Sequence, residues 1–135
     1  LFKNYSIEIL KKKPKLKIYG TNYKTKDGSC IRDFIHVSDI AEIHYLVLEK
    51  INKLNISKIL NCGYNKGISV LQVADEFKRQ SSKKVNIIET KRRNNDLIKI
   101  IASNNNLKKF INWKPKFNNL GKIVKSCIVW EKKIK

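Results

Sequence analysis

Residues 20–41, GTNYKTKDGSCIRDFIHVSDIA, decide how the rest of the chain is read. The polar run 22–29 carries an Asp27-Gly28 pair and reads as a loop with a tight turn. Residues 31–37 follow as an extended piece. Ser38 then opens a helix: it is a good N-cap, and Asp39 and Glu42 put acids in the first turn, where the helix dipole favours them. Ile40, Ile43, His44, Val47 and Leu48 recur at helical spacing to about Lys50.

Outward from this segment, elements alternate. Residues 5–12 place Ile7, Ile9 and Leu10 on a short helix that Pro14 ends. Residues 16–19 alternate like a strand. On the other side, 58–62 is a short apolar strand closed by Gly63 and a polar turn. Ser69 caps a helix that buries Val70, Val73, Ala74 and Phe77. Residues 85–89 and 98–102 read as strands, 104–110 and 120–131 as helices. The pattern is α/β with short strands, and no linker divides residues 1–135, so one region is expected.

Composition excludes several classes. At 135 residues the chain can bury one core. Cys30, Cys62 and Cys127 are widely spaced, which signals neither a disulfide framework nor a zinc site. No apolar run approaches the ~20 residues needed to span a bilayer, and nothing resembles a signal peptide, so a cytoplasmic protein without a membrane partner is expected. The net charge of +19 points at first sight to nucleic acid. The charge is almost all lysine, spread along the chain amid abundant Asn and Ile, as an AT-rich coding bias produces. Only four arginines are present, whereas nucleic-acid sites lean on arginine forks and stacking aromatics. No nucleic-acid partner is expected.

The 20–41 segment resembles the signature of the UDP-glucose 4-epimerase (UDP-galactose 4-epimerase) family, NAD-dependent relatives of the extended short-chain dehydrogenases. Gly20, Thr21, Tyr23, Thr25, Asp27, Gly28, Arg32, Asp33, Phe34, Ile35, His36, Val37, Asp39 and Ala41 all fit that pattern. The resemblance continues through Asn61-Cys62-Gly63 and the helix start at Val70. Arg92-Arg93-Asn94-Asn95-Asp96 stands where the family has R-R-x-G-D, and Trp113-Lys114-Pro115-Lys116-Phe117 with Leu120 resembles its last segment. The family's front half has no counterpart. A glycine-rich G-x-x-G-x-x-G turn is missing, and no Tyr has a Lys four residues on; Tyr5 is followed by Ile9 and Tyr64 by Ile68. The chain is therefore expected to be the C-terminal, substrate-binding portion of an NAD(P)-binding Rossmann-fold epimerase, cut short or encoded by a split gene. Alone it is expected to be marginally stable, because strands such as 58–62 would lack neighbours.

The resemblance also implies a site. Arg32 and Arg93 hold the positions that clamp the UDP pyrophosphate, with Arg92 a weaker candidate. Asp96 matches the acid that hydrogen-bonds the ribose, beside Asn95, which replaces a glycine and tolerates positive φ. Ile18 and Tyr19 match the strand whose backbone flanks the uracil. Phe34 stands where many relatives have Tyr, and filling the core is its expected part. Ile100 falls at the position limiting the sugar pocket, so plain UDP-glucose and UDP-galactose are expected over N-acetylated sugars. Asp33 and His36 invite an acid–base story, but in the family they stabilise the loop. No residue here is expected to be catalytic.

By resemblance the whole enzyme is a homodimeric isomerase of galactose metabolism. Its other domain holds NAD and the catalytic Tyr and Lys, and it reaches a 4-keto intermediate. This chain would grip the UDP handle while the hexose stays loosely held. Open alternatives are another nucleotide-sugar epimerase, dehydratase or decarboxylase, a non-catalytic UDP-sugar-binding module, and a basic interaction protein.

Overall fold

The computed structural model describes residues 1–134. Helix α1 (Phe2–Leu10) buries Tyr5 and Ile9, one turn apart on one face. Pro14 cannot continue a helix, and the chain passes at once into β1 (Lys15–Tyr19). In β1, Leu16 and Ile18 point into the core while Lys15, Lys17 and Tyr19 face out. A loop leads to β2 (Ile31–Arg32) and then α2 (Val37–Leu54). After an irregular stretch, β3 (Ile68–Ser69) runs straight into α3 (Val70–Gln80). Strands β4 (Asn86–Thr90) and β5 (Lys99–Ile100) and helices α4 (Asn105–Phe110) and α5 (Leu120–Lys133) complete the chain.

Two small sheets result. β1 pairs with β4 in parallel, Lys15 opposite Asn86 through Tyr19 opposite Thr90. β2 is the centre of the other, antiparallel to β3 and parallel to β5, with Arg32 opposite Ile100. The larger core gathers Leu16 and Ile18 of β1, Tyr5 and Ile9 of α1, Val73, Ala74 and Phe77 of α3, and Val124 and Ile128 of α5. The Tyr5 ring meets Phe77 edge-on at 5.5 Å between centroids. A side chain such as Phe77, wholly removed from water, contributes roughly 1.5–3 kcal/mol. The second core joins Ile43 of α2 to Leu107, Ile111, Trp113 and Ile123.

The α/β reading holds, with differences at the edges. The cap of α2 is His36 and not Ser38; the His36 Nδ1 accepts from the Ser38 amide at 3.1 Å, so an imidazole does the work expected of a hydroxyl. The helix also runs past Lys50, ending at Asn55 with φ 49°. Only Ile31 and Arg32 of the expected 31–37 strand join a ladder, because the backbone must turn to cap α2. Residues 58–62, expected to be a strand, pair with nothing among the described residues. Ile59 there is 98% exposed, since no neighbour satisfies its backbone or covers its side chain. The Ser69 cap is present as a full capping box with Gln72.

Candidate functional site

The outward face of β1, the cavity side of β2, helix α1 and the loop after β4 enclose a cavity of about 580 Å³. That size suits a nucleotide-scale ligand. The alternation of β1 aims Lys15, Lys17 and Tyr19 into it, and Arg32, Phe34, Arg93 and Asp96 enter from the other walls. Lys11 also lines it, so cations outnumber the two carboxylates, Glu8 and Asp96, and the cavity favours an anion.

Arg32 is half-buried and fixed on two sides. Its Nη1 donates to the Ile31 carbonyl at 2.7 Å, and its Nη2 pairs with Asp96 Oδ1. A guanidinium has five N–H donors in a rigid fork, so donors remain for phosphate oxygens. The Arg93 guanidinium lies over the Tyr19 ring, 4.2 Å from its centroid. Stacking of this kind holds the charge in place without using its hydrogen-bond donors. Asn95 adopts φ 60°, the left-handed turn that brings Asp96 back toward Arg32.

Two protonated groups complete the wall. The Tyr5 hydroxyl donates to the Lys17 carbonyl at 2.7 Å, and burial, with Tyr19 and Cys30 nearby, pushes it up to about 12. Burial likewise pushes the Cys30 thiol up, which keeps it a thiol and a poor nucleophile.

Of the residues expected from sequence, Arg32, Arg93, Asp96, Tyr19 and Phe34 meet at this cavity. Ile18 does not: its side chain is buried in the core, and its carbonyl accepts from Thr90 Oγ1 at 2.9 Å. Ile100 is half-exposed beside Arg32 in the β2–β5 ladder, off the cavity wall. Arg92 is also off the wall, over the Tyr23 ring at 3.8 Å.

Asp33 and His36 are structural. Asp33 accepts from the amides of Tyr64 and Asn65 at 3.2 and 2.9 Å. His36 stacks on Phe117 and bonds Ser126 at 2.9 Å. Sequence reasoning missed the weight carried by Asp39, which is fully buried and accepts from Tyr64 Oη and the amides of Lys116 and Phe117. Tyr23 was visible only as a match in the signature, with no role attached.

A dinucleotide would need open amides at a strand-to-helix turn. Where β3 enters α3 the amides are already taken. Those of Ser69, Val70, Leu71 and Gln72 donate to Gln72 Oε1, the Cys30 carbonyl, Ser29 Oγ and Ser69 Oγ. This junction therefore does not fit a dinucleotide pyrophosphate. Among the described residues, no group of three His, Cys, Asp or Glu could hold a metal ion, and no helix is long and apolar enough to cross a membrane.

Comparison with known proteins agrees with the fold and the signature. The profile of the NAD dependent epimerase/dehydratase family matches residues 2–63. The UDP-glucose 4-epimerase of Azospirillum brasilense is 37% identical over 126 residues, 93% of this chain. The chain belongs to the NAD dependent epimerase/dehydratase family. Within this family it corresponds to the C-terminal portion of the UDP-glucose 4-epimerases. It spans 36% of the Azospirillum relative's length. The UDP-Glc/GlcNAc 4-epimerase of Campylobacter jejuni superposes on 98% of the chain, with a TM-score of 0.87 and 37% identity, using 40% of its own length. The UDP-glucose-4-epimerase of Stenotrophomonas maltophila, solved with bound NAD and formylated UDP-arabinopyranose, superposes with a TM-score of 0.85 at 26% identity. It covers 98% of this chain and 38% of its own.

Proposed function

We propose that this chain is the UDP-sugar-gripping portion of a UDP-glucose 4-epimerase, an isomerase interconverting UDP-glucose and UDP-galactose. The observation that carries the reading is the meeting of Arg32, Arg93 and Asp96 at one cation-rich cavity walled by Tyr19 and Phe34. Arg32 and Arg93 neutralise the pyrophosphate, Asp96 accepts from the ribose, and the β1 backbone at Ile18 and Tyr19, not the buried Ile18 side chain, flanks the base. These groups anchor the nucleotide and leave the hexose free to reorient. Binding energy at the remote handle thus positions the reacting sugar. In this reading the sugar extends past the cavity wall toward Ile100, beside Arg32 in the β2–β5 ladder, which limits that end and disfavours an N-acetyl group.

NAD belongs to a second, dinucleotide-binding unit, since the strand-to-helix junction of this chain is closed to it; when bound it supplies reversible hydride transfer. Two features support such a partner unit. Helix α2 exposes Val37, Tyr45 and Leu48 along with Ile59 beyond it, and residues 58–62 carry an unpaired backbone that a neighbouring sheet would complete. In this reading, residues 1–135 form a single UDP-sugar-binding region, and the complete enzyme is a cytoplasmic homodimer of galactose metabolism.

Isothermal titration of the chain with UDP, UDP-glucose and UDP-N-acetylglucosamine tests the reading. UDP and UDP-glucose are expected to bind alike, with the N-acetylated sugar weaker. Arg32→Ala and Arg93→Ala should each weaken UDP about 10- to 100-fold, the range for a charge-assisted contact of about 1.5–3 kcal/mol. In the complete enzyme the same changes raise KM far more than they lower kcat. Failure of the wild-type chain to bind UDP, or an affinity indifferent to both arginines, would reject the proposal. Equal affinity for the N-acetylated sugar would remove the role given to Ile100.

A further inference from the structure

Tyr23 lies outside the cavity, yet it touches what shapes it. The residue is 4% exposed, and its hydroxyl donates to Asp96 Oδ2 at 3.3 Å. Arg32 holds the other carboxylate oxygen, Oδ1. The carboxylate is thus tied at both ends, and its plane is set by two groups from the segment that precedes β2 and from β2 itself. The ring is fixed in turn. The Arg92 guanidinium, itself exposed to solvent, covers one face of the buried ring at 3.8 Å from the centroid, a cation–π arrangement. Gly20, at φ 84°, leaves no space for a side chain: a Cβ there would lie 2.6 Å from Tyr23 Cε2 and against Arg92 Cγ. The Tyr23 amide also donates to the Gly28 carbonyl at 2.8 Å, which anchors the loop carrying the ring.

We propose that Tyr23, braced by Arg92 and Gly20, is a positioning residue that presents the Asp96 carboxylate to the ribose hydroxyls of the nucleotide. The proposal rests on the UDP-binding reading above. A carboxylate on a loop loses affinity for a diol when it can rotate, because each bond to the ligand must then also fix the side chain. The bond from Tyr23 to Oδ2, with that from Arg32 to Oδ1, fixes it beforehand. Arg92, unplaced as a phosphate ligand, acquires its function here: it holds the ring that holds the acid. The two adjacent arginines divide their work, each over its own tyrosine, Arg93 at Tyr19 inside the cavity and Arg92 at Tyr23 behind it.

Tyr23→Phe tests this, because it keeps the ring and the arginine stack and removes only the hydroxyl. Titration calorimetry of the full 135-residue chain is run with UDP and with 2′,3′-dideoxy-UDP, which lacks the hydroxyls Asp96 would receive. The variant is expected to bind UDP about 3- to 10-fold more weakly, the range for one lost hydrogen bond. It should bind the dideoxy nucleotide as the wild type does. Its thermal midpoint without ligand should stay within about 2 °C of the wild type. Unchanged UDP affinity overturns the proposal, as does an equal loss for both nucleotides, which would mean a general loosening of the site. If the wild-type chain binds neither nucleotide, the UDP-binding reading itself falls; if it binds UDP and only the Tyr23 effect is missing, that reading stands.

Discussion

Replacing Asp39 by Ala should be the most damaging single-site polar change in this chain. The carboxylate is fully buried. It accepts from Tyr64 Oη, from the Phe117 amide at 3.0 Å and from the Lys116 amide at 3.1 Å. Alanine would strand three donors at once, two of them on the backbone. Each orphaned donor costs about 1–3 kcal/mol. They share one acceptor group and do not add in full, so the total is about 3–5 kcal/mol, comparable to breaking a buried charged cluster. That is much of the roughly 5–15 kcal/mol a domain commands. Asp39→Asn keeps one acceptor oxygen but turns an N–H toward a donor, and should cost about 1–3 kcal/mol. Tyr64→Phe removes its own bond and strands the His36 amide, which donates to Tyr64 Oη at 3.2 Å, for about 1–2 kcal/mol. Urea unfolding followed by circular dichroism gives all three, with an unchanged m-value expected. If Asp39→Ala is too unstable to titrate, the other two variants still give the scale. An Asp39→Ala chain within about 1 kcal/mol of the wild type would refute the reasoning.

Two further outcomes follow from the loop and the cavity wall. Gly28→Ala should lower stability by roughly 1–3 kcal/mol, read as a urea midpoint, because φ is 78° and a Cβ would press on the Thr21 carbonyl; an unchanged midpoint would contradict the turn geometry. The Tyr5 hydroxyl is raised from 10.0 to about 12 by burial first and by Tyr19 and Cys30 next. Because the folded value lies above the unfolded one, its contribution is complete below pH 10.0 and is lost as pH rises toward about 12. The wild type should therefore lose more stability than Tyr5→Phe between pH 9 and pH 11, and parallel losses would show that Tyr5 does not titrate as described.

The sequence by itself determined the family, the α/β class and the identity of the cavity's arginines. Those signals are local: the Ser69 cap acts within one helical turn, the strand alternation spans residues 16–19, and the 20–41 signature is one continuous run. The register Arg92-Arg93-Asn94-Asn95-Asp96 was legible for the same reason. What only the tertiary structure decided is which of these residues meet. Asp39 looked like a first-turn helix acid because its own sequence neighbourhood says so, but its partners lie 25, 77 and 78 residues away. Tyr23 reaches Asp96 across 73 residues. Residues 58–62 read as a strand on their apolar content, yet a ladder needs a second strand to complete its hydrogen bonds, and none is paired with them among the described residues. A short-range pattern fixes what a residue can do, and burial among distant neighbours fixes which of those things it does.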